Sequence, residues 1–346
     1  VDAPVVVQQI VDRFALAYMY ESMGGPDWTE QFDFMTDESA CEWSNGISDR
    51  GAQCKNTNGI VNDINLEENN IKGPFPPVFY HMQLKRALLS ENEISGTIST
   101  WIGTMDKLFE FWVHQTSLSG TIPTEIGNLT IMRGLGLYKA KFEGTIPTEV
   151  GNMASLTRFW VNDNDLNSTI PSELGRATKL HTINFRASSL TGTIPTELGK
   201  LTKMVKLYMP HNSLIGRVPS ELGNLSRLQW LLLQDNTITG TLPSEIGQLS
   251  KLKYFDIHGT YIHGNLDPIM CTGTNRFPDL VGFGSQCIPE SFEGSLSRTV
   301  CSCCTMCCND SSCKQQEAQP VECEGRCVAC ADNVYMPTCE ECPTVN

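Results

Sequence analysis

Histidine, cysteine and long apolar runs are all scarce over most of this chain of 346 residues. Only six histidines are present, and no cysteine lies between Cys54 and Cys271. No stretch approaches the roughly 20 apolar residues that a membrane-spanning helix needs, so we expect no insertion into a membrane. Motifs for a phosphate-binding glycine loop or a catalytic nucleophile are also lacking, which disfavours the common classes of enzyme.

Positive charge is also in short supply. The chain has 25 lysine and arginine residues against 39 aspartate and glutamate residues, a formal net charge of −14. Nucleic acids and anionic membranes attract basic surfaces, so neither is expected as a partner. The charge permits a basic partner and helps to keep the protein soluble.

Glycine, in contrast, recurs at a fixed interval. Seven glycines fall on a period of 24, Ser168 fills one missing place, and Gly73 lies one residue out of step. These anchor glycines are Gly96, Gly120, Gly144, Gly192, Gly216, Gly240 and Gly264. The sequence after an anchor also repeats, as in Gly120-Thr-Ile-Pro-Thr-Glu-Ile-Gly and Gly144-Thr-Ile-Pro-Thr-Glu-Val-Gly. A period between about 20 and 29 residues with apolar residues at fixed offsets is typical of a leucine-rich-repeat solenoid.

Apolar residues nine and seven positions before each anchor define a short alternating strand. They are Ile64, Leu66, Ala87, Leu89, Phe111, Val113, Leu135, Leu137, Phe159, Val161, Ile183, Phe185, Leu207, Met209, Leu231, Leu233, Phe255 and Ile257. We expect these residues in the core, with the strands stacked in parallel about 4.8 Å apart. The side chains between them would lie on a free concave face.

The position four residues before the anchor is predicted to form the turn that follows each strand. An asparagine there can satisfy the backbone groups that the turn leaves open. Ala140 cannot do so, and we therefore expect this ladder to be weakest near the middle of the array. The asparagines at this position are Asn69, Asn92, Asn164, Asn212 and Asn236.

The repeat resembles that of plant-type extracellular leucine-rich-repeat proteins, whose pattern is LxxLxLxxNxLxGxIPxxLGxL. Nine copies carry the resemblance, which implies an α/β solenoid: a right-handed superhelix with a parallel β-sheet on its concave face. It also implies a helical N-terminal cap and a disulfide-rich C-terminal module. We predict a cap over residues 1–59, nine repeats of period 24 over residues 60–264, and a cysteine-rich cap or module over residues 265–346.

The N-terminal region is also similar to the cap of that family, through Gly24-Gly25-Pro26-Asp27-Trp28 and Cys41-Glu42-Trp43-Ser44-Asn45-Gly46. The resemblance implies a disulfide between Cys41 and Cys54. Residues Pro4 to Tyr20 have the pattern of an amphipathic helix. We predict that its apolar face covers the open end of the first repeat. That face is formed by Val7, Ile10, Val11, Phe14 and Tyr18.

Thirteen of the fifteen cysteines crowd the C-terminal region. The run Cys-x-Cys-Cys-x-x-Cys-Cys that begins at Cys301 could bind zinc or a soft metal cluster, but no histidine follows His263. Together with the disulfide-capped family, this favours disulfides and an oxidising compartment. The pattern resembles the C-terminal region of secreted repeat proteins from diatoms and related algae. The cysteines are Cys271, Cys287, Cys301, Cys303, Cys304, Cys307, Cys308, Cys313, Cys323, Cys327, Cys330, Cys339 and Cys342.

Several features indicate an extracellular protein, either secreted or associated with a cell wall or surface. The chain opens on Val-Asp-Ala-Pro without the basic start and apolar core of a signal peptide, which we interpret as a mature secreted form. Asn-x-Ser/Thr sequences are acceptors for N-linked glycans, and we expect some of them to be modified. They begin at Asn128, Asn167, Asn224 and Asn309.

Aromatic residues on the concave face are the best candidates for ligand binding. Trp112 and Trp160 share one column two repeats apart, so their rings should be roughly 9–10 Å apart. Gly136 would form the floor of the slot between them, which could hold a sugar ring or an aromatic side chain. The alternative is that the exposed rings pack on each other, as we expect for Trp230 and Tyr254. The predicted ligand-binding residues are Trp112, His114, Gly136, Tyr138, Trp160, Arg186, Tyr208, Trp230 and Tyr254.

A column of threonines directly after the anchors is a further regular feature. Such ladders at strand spacing are typical of ice-binding surfaces, but threonine also suits a strand and is ordinary at this position in the family. We favour the structural interpretation. The threonines are Thr97, Thr121, Thr145, Thr169, Thr193 and Thr241.

The spacing of the histidines argues against catalysis. His114 and His258 share a column but lie six repeats apart, or about 30 Å. His211 and His258 would be about 10 Å apart, too far for a direct hydrogen bond. Paired carboxylates such as Glu67 and Glu68 fall on the rim, where a solvated face is expected. We predict no enzyme activity, no cofactor and no metal site.

Two functions are compatible with these patterns. The first is a secreted, non-catalytic recognition or adhesion protein that binds a protein or a glycan on its concave face. The second is a structural subunit of an extracellular fibre, wall or appendage, assembled through the cysteine-rich module. Thirteen is an odd number, so one thiol would be free or joined to another chain. The second function predicts self-association or an inter-chain disulfide.

Overall fold

The computed structural model describes residues 3–266 apart from 33–34, 36–38, 44–48 and 56–57. Beyond residue 266 it describes residues 269, 277, 280, 282–285, 299–300 and 306–307. The chain divides into two compact units, Val1–Asn167 and Ser168–Asn346. Within the described part of the chain, no helix is both long and apolar enough to cross a bilayer.

The first unit begins with one α-helix, α1 (Ala3–Ser22), and continues as short strands joined by 3₁₀-helices. Its strands are β1 (Gly51–Gln53), β2 (Asp63–Asn65), β3 (Lys72–Pro74), β4 (Arg86–Leu88), β5 (Glu93–Thr97), β6 (Glu110–Trp112), β7 (Ser117–Thr121), β8 (Gly134–Gly136), β9 (Lys141–Glu143) and β10 (Arg158–Trp160). Its 3₁₀-helices are Gly25–Asp27, Ala40–Glu42, Pro77–His81, Thr100–Thr104, Thr124–Asn128 and Thr148–Asn152. Strands β2, β4, β6, β8 and β10 pair in parallel, with β1 antiparallel to β2 at one edge. Strands β3, β5, β7 and β9 form a second parallel sheet.

The second unit repeats this plan. Its strands are β11 (Thr182–Asn184), β12 (Lys206–Tyr208), β13 (Trp230–Leu232), β14 (Thr239–Gly240), β15 (Tyr254–Asp256), β16 (Tyr261–Ile262), β17 (Gly264–Asn265), β18 (Gly282–Ser285), β19 (Thr299–Val300) and β20 (Met306–Cys307). Its 3₁₀-helices are Ser172–Arg176, Thr196–Lys200, Ser220–Asn224 and Ser244–Gln248. Strands β11, β12, β13, β15, β18 and β20 pair in parallel in that order.

The predicted core is confirmed in both units. Paired strands are offset by one repeat, as in Phe111 opposite Leu135 and Leu207 opposite Leu231. The side chains nine and seven positions before the anchors are all 2 % exposed or less. Because alternate residues of a strand point to opposite faces, the intervening residues lie on the outer face of the sheet. Burial of this repeated apolar set makes each unit a stack of leucine-rich repeats.

Asparagines at four of the turns tie a repeat to the one before it. The Asn92 Nδ2 group donates to three carbonyl oxygens, one of them Leu66 O in the preceding repeat, and its Oδ1 accepts from the backbone N–H groups of Asn69 and Ile71. Thr116 has only one hydroxyl, which donates to Val113 O within its own repeat. The predicted role of asparagine at this turn is therefore confirmed. Asn164, Asn212 and Asn236 bond in the same way.

The anchor glycines are required by their backbone geometry. All seven have φ between 73° and 102°, the left-handed region in which a side chain is strained. Ser168 departs from this pattern, because the positive φ there falls one residue earlier, on Asn167 at 39°. Asparagine tolerates this region better than other residues with side chains. In this repeat Asn167 therefore takes the left-handed conformation, and Ser168 does not need to adopt it.

The N-terminal helix corrects one prediction. Its existence is confirmed, but Val7, Ile10, Phe14 and Tyr18 face outward and Val11 is only partly buried. The buried face consists of Asp12, Ala15, Leu16 and Met19. This face packs against the cap and the first repeat, and Asp12 anchors it there. Its Oδ2 atom accepts from the Val61 N–H at 2.9 Å and its Oδ1 from Gln8 Nε2 at 2.8 Å.

The disulfide of the cap is confirmed. Cys41 and Cys54 are bonded across a separation of 13 residues, with their Cα atoms 5.1 Å apart. The predictions for the thirteen C-terminal cysteine side chains lie outside the described residues, as does the acceptor site at Asn309. The other three acceptor asparagines, Asn128, Asn167 and Asn224, are exposed.

Candidate functional site

The candidate site of the first unit lies on the outer face of three adjacent strands. Strands β6, β8 and β10 align Trp112, Gly136 and Trp160 in one column. The same register extends to a second column, because His114 and Tyr138 follow Trp112 and Gly136 by two residues. Side chains two residues apart on a strand share a face, so all of these groups lie together.

Trp112 fills the slot that the sequence predicted to be open. Its ring centroid is 5.2 Å from that of Trp160, with the two planes at 73°. A Cβ atom added to Gly136 would lie only 2.1 Å from Trp112 Cε3. The expectation of an open slot was wrong. The outer face of β8 has no side chains at Gly134 and Gly136, and the Trp112 indole gains contacts by packing against it. The edge-to-face arrangement is one that aromatic pairs prefer.

An ion-pair network borders the tryptophans. The Arg158 Nη2 atom lies 2.6 Å from Glu110 Oε1, two strands away, and Glu110 Oε2 accepts from Arg86 Nε at 3.1 Å. The guanidinium of Arg158 also lies 4.8 Å from the centre of the Trp112 ring, within cation–π range. Gly134 makes this reach possible, since a Cβ there would lie 3.1 Å from Arg158 Nη2. Arg158, held by its ion pair with Glu110, therefore helps to keep the Trp112 ring against the sheet.

Two further rings complete the cluster. His114 and Tyr138 are stacked, with centroids 4.1 Å apart and planes at 11°. The Nδ1 atom of His114 hydrogen-bonds with Ser90 Oγ at 2.7 Å. Burial, with Lys139 nearby, lowers the pKa of His114 to about 4, so the imidazole is neutral at physiological pH. Burial and the charges of Glu91 and Glu67 raise the pKa of Tyr138 to about 12.

We call Trp112, His114, Tyr138 and Trp160 the first aromatic cluster. Tyr138 lies 5.8 Å from Trp160 and His114 lies 6.1 Å from Trp112, so the four rings are contiguous. All four are uncharged at neutral pH. They form a continuous surface of rings in place of a cleft.

Two polar atoms beside this cluster lack a hydrogen-bond partner among the described residues. They are Trp160 Nε1, a donor, and Asn162 Oδ1, an acceptor, and both atoms are buried. The Asn162 side chain is 7 % exposed, and its Nδ2 donates to Asp163 Oδ2 at 2.8 Å. A buried donor or acceptor left unbonded costs on the order of 1–3 kcal/mol. Because neither atom is exposed to solvent, a ligand could bond to them only after the side chains that cover them had moved.

A second aromatic cluster, formed by Tyr208, Trp230 and Tyr254, lies on β12, β13 and β15. The predicted stacking of Trp230 and Tyr254 is confirmed, with centroids 3.7 Å apart and planes at 21°. Tyr208 meets Trp230 edge to face at 5.9 Å. The Nζ atom of Lys206 lies 5.3 Å from the centre of the Trp230 ring. Burial, with Tyr254 adding to it, raises the pKa of Tyr208.

The second unit also contains a histidine–carboxylate chain that the sequence did not reveal. Asp235 Oδ2 lies 3.0 Å from His211 Nδ1 and 3.6 Å from His258 Nε2. The Nδ1 atom of His258 lies 2.7 Å from Asp256 Oδ1. The expected separation of about 10 Å between the two histidines was wrong for their side chains, because both contact the same oxygen of Asp235, which follows β13. Across the described part of the chain, no group of three or more potential ligands has the arrangement of a metal site.

Arg186 lies in a different column of the sheet from the rings of the second aromatic cluster. It follows β11 by two residues, in the column that continues with Pro210, Gln234 and His258. Its side chain is partly exposed, and its backbone N–H donates to Asn184 Oδ1 at 3.2 Å.

Comparisons with known proteins agree with this architecture. The family model "Leucine Rich Repeat" matches residues 227–249. No curated protein matches the sequence. A crystal structure of a plant ice-binding protein is 20 % identical and covers 79 % of this chain and 94 % of its own, with a TM-score of 0.58, and at that identity it shares the fold alone.

Plant receptors are among the most similar solved structures. The plant peptide hormone receptor RGFR1, in complex with RGF2, is 27 % identical, with a TM-score of 0.59, and the match covers 65 % of this chain and 35 % of the receptor chain. The Arabidopsis receptor kinase HAESA, in complex with the peptide hormone IDA and the co-receptor SERK1, is 26 % identical with a TM-score of 0.60, and the match covers 73 % and 46 %. The chain thus spans less than half the length of these receptor chains. Its repeats have the leucine-rich-repeat fold and resemble those of plant receptor ectodomains.

Proposed function

We propose that this protein is an extracellular, non-catalytic recognition protein whose first aromatic cluster binds a protein ligand. The observation that carries the proposal is the set of four contiguous, uncharged rings on one face of adjacent strands. Tryptophan and tyrosine dominate the binding energy of protein interfaces. Peptide hormones bound to RGFR1 and HAESA, proteins of similar fold, add support.

The shape of the cluster favours a protein over a glycan. Trp112 occupies the space in which a sugar ring would have stacked. The apolar and aromatic side chains of a peptide, in contrast, can pack on the contiguous rings without entering a slot. The net charge of −14 favours a ligand with basic residues.

The test is a selection for ligands followed by a comparison of variants. Purified protein would be screened against a displayed peptide library and a glycan array, and each ligand would be titrated by calorimetry. We expect peptides to be recovered whose affinity falls about 30-fold in Trp160→Ala, as for a hot-spot residue.

Trp101→Ala is the matched control, because Trp101 is exposed in the same unit but lies on the 3₁₀-helix Thr100–Thr104. Thermal unfolding would verify that each variant is folded. Ligands that bind Trp160→Ala as well as the wild type, or that lose equal affinity in Trp101→Ala, would contradict the proposal. Recovery of glycans alone would assign the site to the other predicted ligand class.

The structural alternative is favoured by the odd number of cysteines in residues 271–342. It predicts a covalent multimer that a reductant takes apart, whereas a recognition module should keep the mass of a glycosylated monomer or of a non-covalent assembly. Light scattering with and without reductant separates the two. Treatment with a peptide N-glycosidase should also lower the mass if the exposed Asn128, Asn167 and Asn224 carry glycans, as their sequence context predicts.

A further inference from the structure

One face of α1 exposes an unusual amount of apolar surface. Val6, Val7, Ile10, Phe14 and Tyr18 are each between 40 % and 63 % exposed. We call these five residues the outer face of α1. The rings of Phe14 and Tyr18 contact each other at 6.3 Å, so part of this face is already ordered. An exposed apolar patch of this kind is often functional, for example as a protein–protein interaction site.

The opposite face of α1 already has its partners. Ala15, Leu16 and Met19 are fully buried against the cap, and Asp12 accepts the Val61 N–H. Rotating the helix to bury the outer face would expose these residues and break that hydrogen bond. The outer face therefore stays exposed in the described part of this molecule.

The charge and the spacing of the residues on the outer face of α1 indicate what kind of partner would fit it. Val7, Ile10, Phe14 and Tyr18 follow at intervals of three and four residues, the spacing of a seam that packs against another helix. Between Ala3 and Tyr20 the only formal charges are Asp12, which is buried, and Arg13, whose guanidinium stacks 5.4 Å from the centre of the Trp43 ring. An uncharged apolar face is complemented by another face of the same kind.

We propose that the outer face of α1 docks against the same face of a second copy, with the two helices antiparallel. Such a two-fold interface presents the same patch from both subunits. Centring it between Ile10 and Phe14 places each Ile10 against the partner's Phe14. The same alignment places Glu21 beside the first turn of the partner helix. That turn has no acidic residue of its own, and the N-terminus of a helix favours a carboxylate.

The area fits a reversible dimer. Five half-exposed apolar side chains offer roughly 500 Å² from each copy, or about 1,000 Å² in total, near the lower limit for a specific interface. The contact is non-covalent and involves no cysteine. It is therefore independent of any assembly through the C-terminal module, and it leaves the first aromatic cluster free.

Sedimentation velocity of the intact protein over a range of concentrations tests the proposal. We expect reversible growth towards twice the monomer mass, unchanged by reductant, and an association constant at least tenfold lower in Ile10→Glu and Phe14→Glu. Both substitutions are on the exposed side of a helix, so the monomer should keep its thermal stability. Ile215→Glu is the matched control, because Ile215 is 51 % exposed in the second unit, and it should associate like the wild type.

Hydrogen exchange at low and high protein concentration locates the contact. We expect concentration-dependent protection in residues 3–22 of the wild type and none in Ile10→Glu. A wild type that stays monomeric up to about 100 μM, equal loss of association in Ile215→Glu, or a dimer without added protection in α1 would each overturn the proposal. A dimer that dissociates on reduction would also overturn it.

Discussion

Gly136 shows how the absence of one side chain positions a neighbouring residue. Because Gly134 and Gly136 leave the outer face of β8 bare, the Trp112 indole lies on that strand and meets Trp160. Arg158 reaches Glu110 over the same gap. One pair of glycines thus determines the shape of the first aromatic cluster and of the ion pairs beside it.

Gly136→Ala should therefore disturb the cluster. The new methyl group would overlap Trp112 Cε3, which must move, and we expect a loss of about 1–3 kcal/mol in the free energy of unfolding. Denaturant titration and a red shift of tryptophan emission would measure the change. In a Trp112→Ala background the same substitution should cost little. An equal cost in both backgrounds would show that the strand itself, and not the ring, resists the methyl group.

The pKa of His258 predicts how the stability of the fold depends on pH. Burial by itself lowers the pKa of His258, but its hydrogen bond to Asp256 and the charges of Asp256 and Asp235 outweigh burial, and the net pKa is raised. The protonated form is therefore favoured by folding. The stability it contributes is complete below the ordinary histidine pKa of 6.5 and is lost as the pH rises through the raised value.

Comparing the wild type with His258→Gln isolates this contribution. We expect the difference in unfolding free energy between the two proteins to shrink as the pH rises above 6.5 and passes through the raised pKa of His258. His263→Gln, at an exposed histidine, is the control variant. Parallel curves for the wild type and His258→Gln would mean that the two aspartates do not stabilise the charged ring.

Elements of the repeat were predictable from the sequence because a fixed period aligns equivalent residues. The strands, their inward side chains and the asparagine turns follow from spacing alone, since nine copies impose the same geometry. The position of the Trp112 ring could not be predicted from the repeat. The spacing of the strands fixes the Cβ positions, but it does not fix which rotamer Trp112 adopts beside a strand that has no outward side chains. The buried face of α1 was missed for a related reason. Helix α1 has two apolar faces. The buried one contains Ala15, Leu16 and Met19, and Asp12 on the same side accepts a hydrogen bond from the Val61 N–H.

The asparagine ladder is interrupted at Ala140, and this gap offers a stabilising substitution. An asparagine there could bond the preceding repeat as Asn92 and Asn164 do, reaching Val113 O across one turn. We expect Ala140→Asn to raise the free energy of unfolding by about 0.5–1.5 kcal/mol. Ala154→Asn, at an exposed alanine outside the turn, is the control and should be neutral. Equal effects of both substitutions would show that the gain is not due to the ladder.

At the scale of the whole molecule, charge opposes the association that the outer face of α1 favours. Each copy has a formal net charge of −14, so two copies repel at long range while their outer faces attract on contact. Salt screens the repulsion, since the Debye length shortens to about 10 Å at 0.1 M and about 3 Å at 1 M. Apolar contacts are not weakened by such screening.

Dimerisation should therefore strengthen as salt is added. We expect the dissociation constant from sedimentation to fall severalfold between about 20 mM and 500 mM sodium chloride, because screening removes repulsion without removing contacts. Ile10→Glu adds a charge to the seam of each copy and should remain the weaker dimer at every salt concentration. A dimer that weakens with salt would be held by ion pairs. In that case the interface would lie on a charged surface, and the uncharged outer face of α1 would not be the contact.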